Sequence, residues 1–450
     1  MRSIAAAVTM VVVLGCPAPS EPDGGTGTGG GAGGGSAAYD SGFVSVLPGV
    51  EAQGYAVVPS GANVFVVGNG TTDGGAASLL VARFKPDRSL DTTWAGAGYT
   101  LVDVADGMSV GIGSLAHDTA YAALSDGTSL FVCGVAQALQ VPGLGSRVLL
   151  AKFLADGSLD TSFGNTGATT GVRLDAFGTT QAQCTALALQ PDGKILIGGD
   201  VQSNFFVTRY LANGTADVSF SKTPGSGFGA VWGTSREETT KAMVLDPDGK
   251  IVVFGGASMS AARLLPDGQL DVSFGSSGFF SSAGASGVAL WREADGSYLA
   301  LGYAPLTTDA GDKQLAARLL KLSASGVADV TFGPQGYRQV TLPGTNLGLS
   351  TVRGATRLAD GSFVLYVTGL GRTYLVRFTA DFALDPSSLS DGGLVSTGVE
   401  LPLFQPAFQQ GSHLAVTEGN RVWLTDINLV TIEPVTPTKK NFFDLINRTF

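Results

Sequence analysis

The chain of 450 residues is 44 % hydrophobic and only 14 % charged, contains 65 glycines, and carries a formal net charge of −10 from 27 basic and 37 acidic side chains. An acidic balance without any basic cluster argues against nucleic-acid binding and against electrostatic docking onto anionic lipid. So much glycine calls for many tight turns, and the hydrophobic fraction suffices to cover several sheet interfaces.

Met1–Cys16 reads as an export signal. Arg2 gives a positive start, and Ile4–Leu14 is an apolar core of 11 residues, too short to span a bilayer. Val13-Leu14-Gly15-Cys16 resembles the lipobox of bacterial lipoproteins, which implies removal of residues 1–15 and a diacylglycerol on the Cys16 thiol. An ordinary secretory signal with an incidental cysteine is the alternative. Residues 16–38 then form a lipidated tether, with GGTGTGGGAGGG at Gly24–Gly35 and almost nothing to bury. A flexible stretch of that length spans about 25 Å, enough to lift a folded body off the bilayer that Cys16 enters. These features place the protein in the bacterial cell envelope, facing periplasm or exterior.

A repeated region spans residues 39–436, and its clearest unit is Ala186–Gly229. Ala186–Leu189 and Lys194–Ile197 are apolar runs joined by a Pro191-Asp192-Gly193 turn, a β-hairpin signal, and the second run ends at Gly198 and Gly199. Phe205–Leu211 is a third strand, turning at Asn213-Gly214, and a fourth strand follows Gly227. No segment shows helical periodicity.

The mark of the unit is a hexapeptide: LDTTWA at Leu90, LDTSFG at Leu159, ADVSFS at Ala216, LDVSFG at Leu270, ADVTFG at Ala328 and a degenerate LDPSSL at Leu384. Its aspartates are 69, 57, 54, 58 and 56 residues apart, a period suited to four-stranded propeller blades. Inner-type runs begin near Tyr55, Ala120, Ala186, Ala242, Val288, Thr356 and His413, which makes seven, but only six runs follow a hexapeptide. Ser41–Leu47 is similar to Ser277–Ala283 and supplies the missing outer strand, completing a last blade built from His413–Thr417, Arg421–Thr425 and Asn428–Glu433. The expected fold is therefore all-β: one seven-bladed propeller of four-stranded antiparallel blades, closed by an N-terminal strand, with residues 437–450 as a solvated tail. Six or eight blades are the alternatives.

PDGKILIGG (Pro191–Gly199) together with LDTSFG (Leu159–Gly164) resembles the delta-60 repeat, a β-propeller repeat of bacterial surface proteins. The resemblance covers nearly all of Tyr39–Thr436. It implies the fold and brings no active site. LDPSSL, which lacks the aromatic residue, and the last unit depart from the pattern.

A basic residue stands eight positions before every hexapeptide aspartate: Arg83 before Asp91, Lys152 before Asp160, Arg209 before Asp217, Arg263 before Asp271, Lys321 before Asp329 and Arg377 before Asp385. Presence in every unit points to architecture, a partly buried ion pair across the turn between third and fourth strands, rather than to a ring of anion sites. Asp87/Asp91, Asp156/Asp160, Asp267/Asp271 and Asp381/Asp385 put two carboxylates four apart, but the distal glutamate of a calcium loop is missing, and turn chemistry accounts for them. His117 and His413 fall near one mouth of the channel without visible partners for a zinc site or triad. Cys133 and Cys184 lie in neighbouring blades, so that a disulfide and two buried thiols both fit. The four tryptophans are scattered packing residues.

The sequence thus describes a non-catalytic lipoprotein, monomeric and without cofactor or metal, whose propeller face binds a protein, glycan or small ligand. The loops Thr71–Ala77, Gly134–Gly145 and Ala304–Asp312 differ between units and would set the partner. The rival is a metal-dependent, lactonase-like propeller hydrolase with its site at one mouth of the channel. A quinone-dependent dehydrogenase would need cofactor motifs that are not seen.

Overall fold

The computed structural model describes residues 47, 50–72, 77–104, 116–138, 145–164, 169–177, 182–220, 230–232, 239–307, 311–342, 350–385, 395–400, 414–417, 421–427 and 443–449, apart from 88, 203, 283, 312, 370 and 371. They form antiparallel sheets in strict chain order. The first sheet is β1 (Glu51–Ser60), β2 (Asn63–Thr71), β3 (Ser78–Phe84) and β4 (Tyr99–Val102). The second is β5 (Ala116–Ser125), β6 (Leu130–Ala138), β7 (Ser146–Phe153) and β8 (Val172–Asp175). The third is β9 (Ala182–Leu189), β10 (Ile195–Val201), β11 (Asn204–Tyr210) and β12 (Ala230–Trp232). The fourth is β13 (Thr240–Leu245), β14 (Ile251–Gly255), β15 (Ser260–Leu264) and β16 (Phe279–Phe280). The fifth is β17 (Ser286–Arg292), β18 (Tyr298–Thr307), β19 (Lys313–Leu322) and β20 (Tyr337–Thr341). The sixth is β21 (Ser350–Arg357), β22 (Phe363–Gly369), β23 (Arg372–Phe378) and β24 (Val395–Glu400). A further sheet has three strands, β25 (Leu414–Thr417), β26 (Arg421–Ile427) and β27 (Phe443–Thr449).

The first strands of the four-stranded sheets lie side by side in chain order, and β25 lies against both β21 and β1. The architecture is an all-β propeller. Its apolar cores lie between blades: Val67 and Val81 of the first pack with Val132 and Leu149 of the second, and Phe254 of the fourth packs with Leu301 of the fifth. The second strands β10 and β14 are buried along their whole length, because a blade is covered on both faces.

Two expectations need correction, and a third falls almost wholly outside the described residues. Six blades, not seven, have the full four strands; the last sheet has three. Its third strand is Phe443–Thr449, paired with β26 from Arg421↔Thr449 to Ile427↔Phe443. That segment was expected in the tail, while Asn428–Glu433, the expected strand, lies outside the described residues. Closure by Ser41–Leu47 is not seen: residues 41–46 lie outside the described residues, and Leu47 is buried but belongs to no strand.

Cys133 of β6 and Cys184 of β9 are joined by a disulfide, with Cα atoms 5.7 Å apart. Both are fully buried, so the bond ties the second blade to the third inside their shared core. Closing a loop between residues 51 apart restricts the unfolded chain. The double variant C133A/C184A is expected to unfold with about 2–4 kcal/mol less free energy, read as a lower urea midpoint; an unchanged midpoint would show the bond to be dispensable.

Candidate functional site

An antiparallel blade sends its first-to-second and third-to-fourth connections to one face and the others to the opposite face. The hexapeptides occupy the first of these faces. There the structure brings together each basic residue and the aspartate eight positions on. The closest nitrogen to oxygen distances are 3.5 Å for Arg83–Asp91, 2.9 Å for Lys152–Asp160, 2.8 Å for Arg209–Asp217, 2.9 Å for Arg263–Asp271, 3.8 Å for Lys321–Asp329 and 3.4 Å for Arg377–Asp385. In every case the aspartate N–H also donates to the carbonyl of its basic partner.

The other carboxylate oxygen closes a small turn. It accepts from the backbone and hydroxyl of the residue two positions on: Thr93, Ser162, Ser219, Ser273 and Thr331. The hexapeptide aromatic then slots beneath the turn of the next blade. A Cβ on Gly214 would lie 2.9 Å from the Phe163 ring, and one on Gly326 would lie 2.6 Å from Phe274. Arg209 and Arg263 reach across as well, donating to the carbonyls of Pro266 and Ala324 in the following blades. The ion pairs brace the turn within each blade, and the aromatics with Arg209 and Arg263 fasten blade to blade.

The second constellation, on the innermost strands, has no counterpart in the sequence reading. The pairing of first and second strands slips by one residue at the same level in all six complete blades. The bulged residues are Tyr55, Tyr121, Thr185, Lys241, Val288 and Arg353. A bulge re-aims a side chain that regular pleating would direct into a neighbouring blade. Five of the six lie in the N-terminal half of their strand, toward the face of the long variable connections, and Tyr121 lies just past the middle of β5.

Opposite the bulge, the second strand carries glycine: Gly68, Gly134, Gly199, Gly255 and Gly302, with Val367 in the sixth blade. The reason is steric. A Cβ there would come 1.8 Å from the Gln53 carbonyl oxygen, 1.9 Å from that of Thr119 or Gln183, 2.1 Å from Thr239 and 2.3 Å from Ser286. Each of these carbonyls belongs to the residue two before the bulge.

The framework therefore repeats, while the side chains it presents differ. Tyr55 and Tyr121 meet edge to face with ring centroids 5.3 Å apart. Tyr55 donates to Gln53 at 2.9 Å, and burial pushes its hydroxyl up to about 12. Burial, then the neighbouring Tyr55 and Asp200, pushes Tyr121 further up. Thr185 donates to the Thr240 carbonyl of the next blade, so its hydroxyl is spent in packing. Burial is the main cause holding Lys241 down at about 8; Asp200 acts against it and Arg353 with it. Asp200 accepts from Gln183 at 2.7 Å. Tyr55 and Tyr121 are in contact, and electrostatic influence links Tyr121 with Asp200 and Lys241 with Asp200 and Arg353.

Among the other sequence candidates, His117 is half-buried in β5, and burial lowers its pKa. His413 and Cys16 lie outside the described residues, as do the central parts, 73–76, 139–144 and 308–310, of the three variable loops. Asp87 and Asp156 accept hydrogen bonds from Ser89 and Ser158 in their own turns. Among the described residues no group of three or more His, Cys, Asp or Glu side chains is placed to share a metal ion. Trp94 and Trp291 are core residues.

Fold and repeat define the class, a β-propeller built from an internal repeat. Residues 143–163, 190–220 and 247–274 match the family described as "Domain of unknown function (DUF5122) beta-propeller", and each segment ends at a hexapeptide aromatic, Phe163, Phe220 or Phe274. No curated protein matches the chain in sequence. Among solved structures it is similar to puromycin hydrolase, at 14 % identity and TM-score 0.34 over 88 % of this chain and 53 % of that one. It is also similar to the β-propeller domain of the Trilobed protease from Pyrococcus furiosus, at 10 % identity and TM-score 0.38 over 88 % and 95 % of the two chains. A gluconolactonase from Xanthomonas campestris matches at 14 % identity and TM-score 0.32 over 71 % and 82 %. The chain spans about half the length of puromycin hydrolase. At these scores the likenesses carry no argument about activity.

Proposed function

We propose that the protein is a non-catalytic, lipid-anchored propeller of the bacterial cell envelope that binds its ligand on the axis, at the bulge ring. The carrying observation is that one backbone device recurs in six blades while the residue it presents changes from Tyr to Thr, Lys, Val and Arg. A position that served only packing would keep one residue type, as the hexapeptide aspartate does. The leader ending at Cys16 and the glycine-rich tether support the anchored location. We read the units as delta-60 repeats and the three-stranded sheet as a degenerate seventh blade, with Ser41–Leu47 as its fourth strand; the seat of β25 between β21 and β1 supports this. The body acts as a monomer and holds no nucleic acid.

Two measurements test the reading. Full-length protein should fractionate with membranes, and Cys16→Ala should release it. Native protein purified from the envelope should retain a ligand or partner that the quadruple variant Y55A/Y121A/K241A/R353A, folded by circular dichroism, does not. Equal retention by both would remove the axial site. Stoichiometric calcium or zinc in the purified protein would favour the rival, a metal-dependent hydrolase.

A further inference from the structure

We infer that the axial site takes a small oxyanion, a carboxylate or phosphate group held between Lys241 of the fourth blade and Arg353 of the sixth. This rests on the reading of the bulge ring as the binding position. Both cations stand at the bulge, hence at one level of the ring, and the blade between them presents the neutral Val288.

The chain as a whole carries a net charge of −10, so acidic partners are plentiful. Yet among the described residues neither Lys241 nor Arg353 forms an ion pair. Arg353 is steered by its Nε, which donates to Thr368 Oγ1 at 3.2 Å, the sole hydrogen bond of its guanidinium among the described residues. Asp200 stands near enough to favour the charged lysine, and one of its oxygens accepts from Gln183.

Burial is the main cause that disfavours the charged lysine, and the like charge of Arg353 adds to it. An arriving anion removes that repulsion and satisfies both. The chemistry matches an oxyanion: lysine offers a compact charge with rotatable donors, and arginine a planar fork suited to two oxygens. A Cβ on Gly255 would lie 3.1 Å from Lys241 Cγ, so the missing side chain leaves the lysine stem its path.

The test is isothermal titration of detergent-solubilised full-length protein with succinate, inorganic phosphate and the uncharged succinamide. Succinate or phosphate should bind, and the preferred one identifies the group as carboxylate or phosphate. Lys241→Met and Arg353→Met should each weaken binding about tenfold or more, while Lys241→Arg largely retains it. Near-UV circular dichroism establishes that each variant is folded. The inference is overturned if neither anion binds folded wild-type protein, or if Lys241→Met and Arg353→Met bind as wild type does. Succinamide binding as tightly as succinate, and lost in Y55A/Y121A, overturns the oxyanion while leaving the axial site. Anion binding unaffected by any ring variant removes both.

Discussion

Gly199→Ala is expected to lower folding stability by about 3 kcal/mol or more, while Gly198→Ala, one residue earlier, costs less than about 1.5 kcal/mol. Propensity alone would treat the two glycines alike, since both sit inside β10 with no positive φ. Their surroundings differ. A Cβ on Gly199 meets only backbone: the Gln183 oxygen at 1.9 Å, the Gln183 carbon at 2.9 Å and the Cys184 Cα at 3.0 Å. None of these can yield without undoing the bulge at Thr185 and displacing a residue of the disulfide. A Cβ on Gly198 meets the Thr240 methyl at 3.2 Å and nothing else closer than 3.7 Å, which small side-chain shifts can relieve. Urea denaturation of the two variants reads the difference directly. Equal losses would mean that the bulge yields easily, and the argument for a rigid axial ring would go with it.

This glycine also marks the limit of what the sequence discloses. The pair Gly198-Gly199 was legible as a repeated feature, but it reads as the end of a strand, whereas β10 continues to Val201. Likewise the apolar run places the start of the inner strand at Ala186, although β9 starts at Ala182 and carries its polar residues in the first half. The bulge exists only in the pairing of two strands, so no single stretch reveals it. Aligning the units on that glycine and comparing the residues opposite would have exposed the one variable polar position.

The contacts behind the hexapeptide were legible for the opposite reason. Basic residue and aspartate are eight apart in sequence, joined by one turn, and six copies make the spacing visible. Phe443–Thr449 was missed because it carries neither the Asp-Gly turn nor the hexapeptide, and only its ladder with β26 identifies it as a blade strand. The disulfide stayed open because a separation of Cα atoms is a property of the fold.

Asp217→Ala is expected to destabilise the protein by about 3–5 kcal/mol, the cost of leaving a buried cation without its partner. The Arg209 and Asp217 side chains are 10 % and 8 % exposed, and the Arg209 guanidinium lies over the Phe220 ring at 4.7 Å. Without the carboxylate, Arg209 keeps only the Pro266 carbonyl, and the turn loses the bonds from Ser219. Asp329→Ala should do much less, because Lys321 and Asp329 are more exposed and 3.8 Å apart. The pH dependence follows from the same contacts. Burial pushes Asp217 up, but the bonds from Ser219 and the charge of Arg209 outweigh it and hold the carboxyl below its ordinary value. Asp91, Asp160, Asp271 and Asp329 are lowered as well. A carboxyl lowered by folding contributes its full stability above its unfolded pKa of about 3.9 and loses it as pH falls through the lower folded value. Wild-type stability should therefore be flat from about pH 6 to 5 and fall steeply below about pH 4. The Asp217→Ala variant, already lacking one such group, should fall with a shallower slope. Parallel acid-unfolding curves for the two proteins would show that the carboxylate is not stabilised by the fold and that the blade-to-blade fastening lies elsewhere.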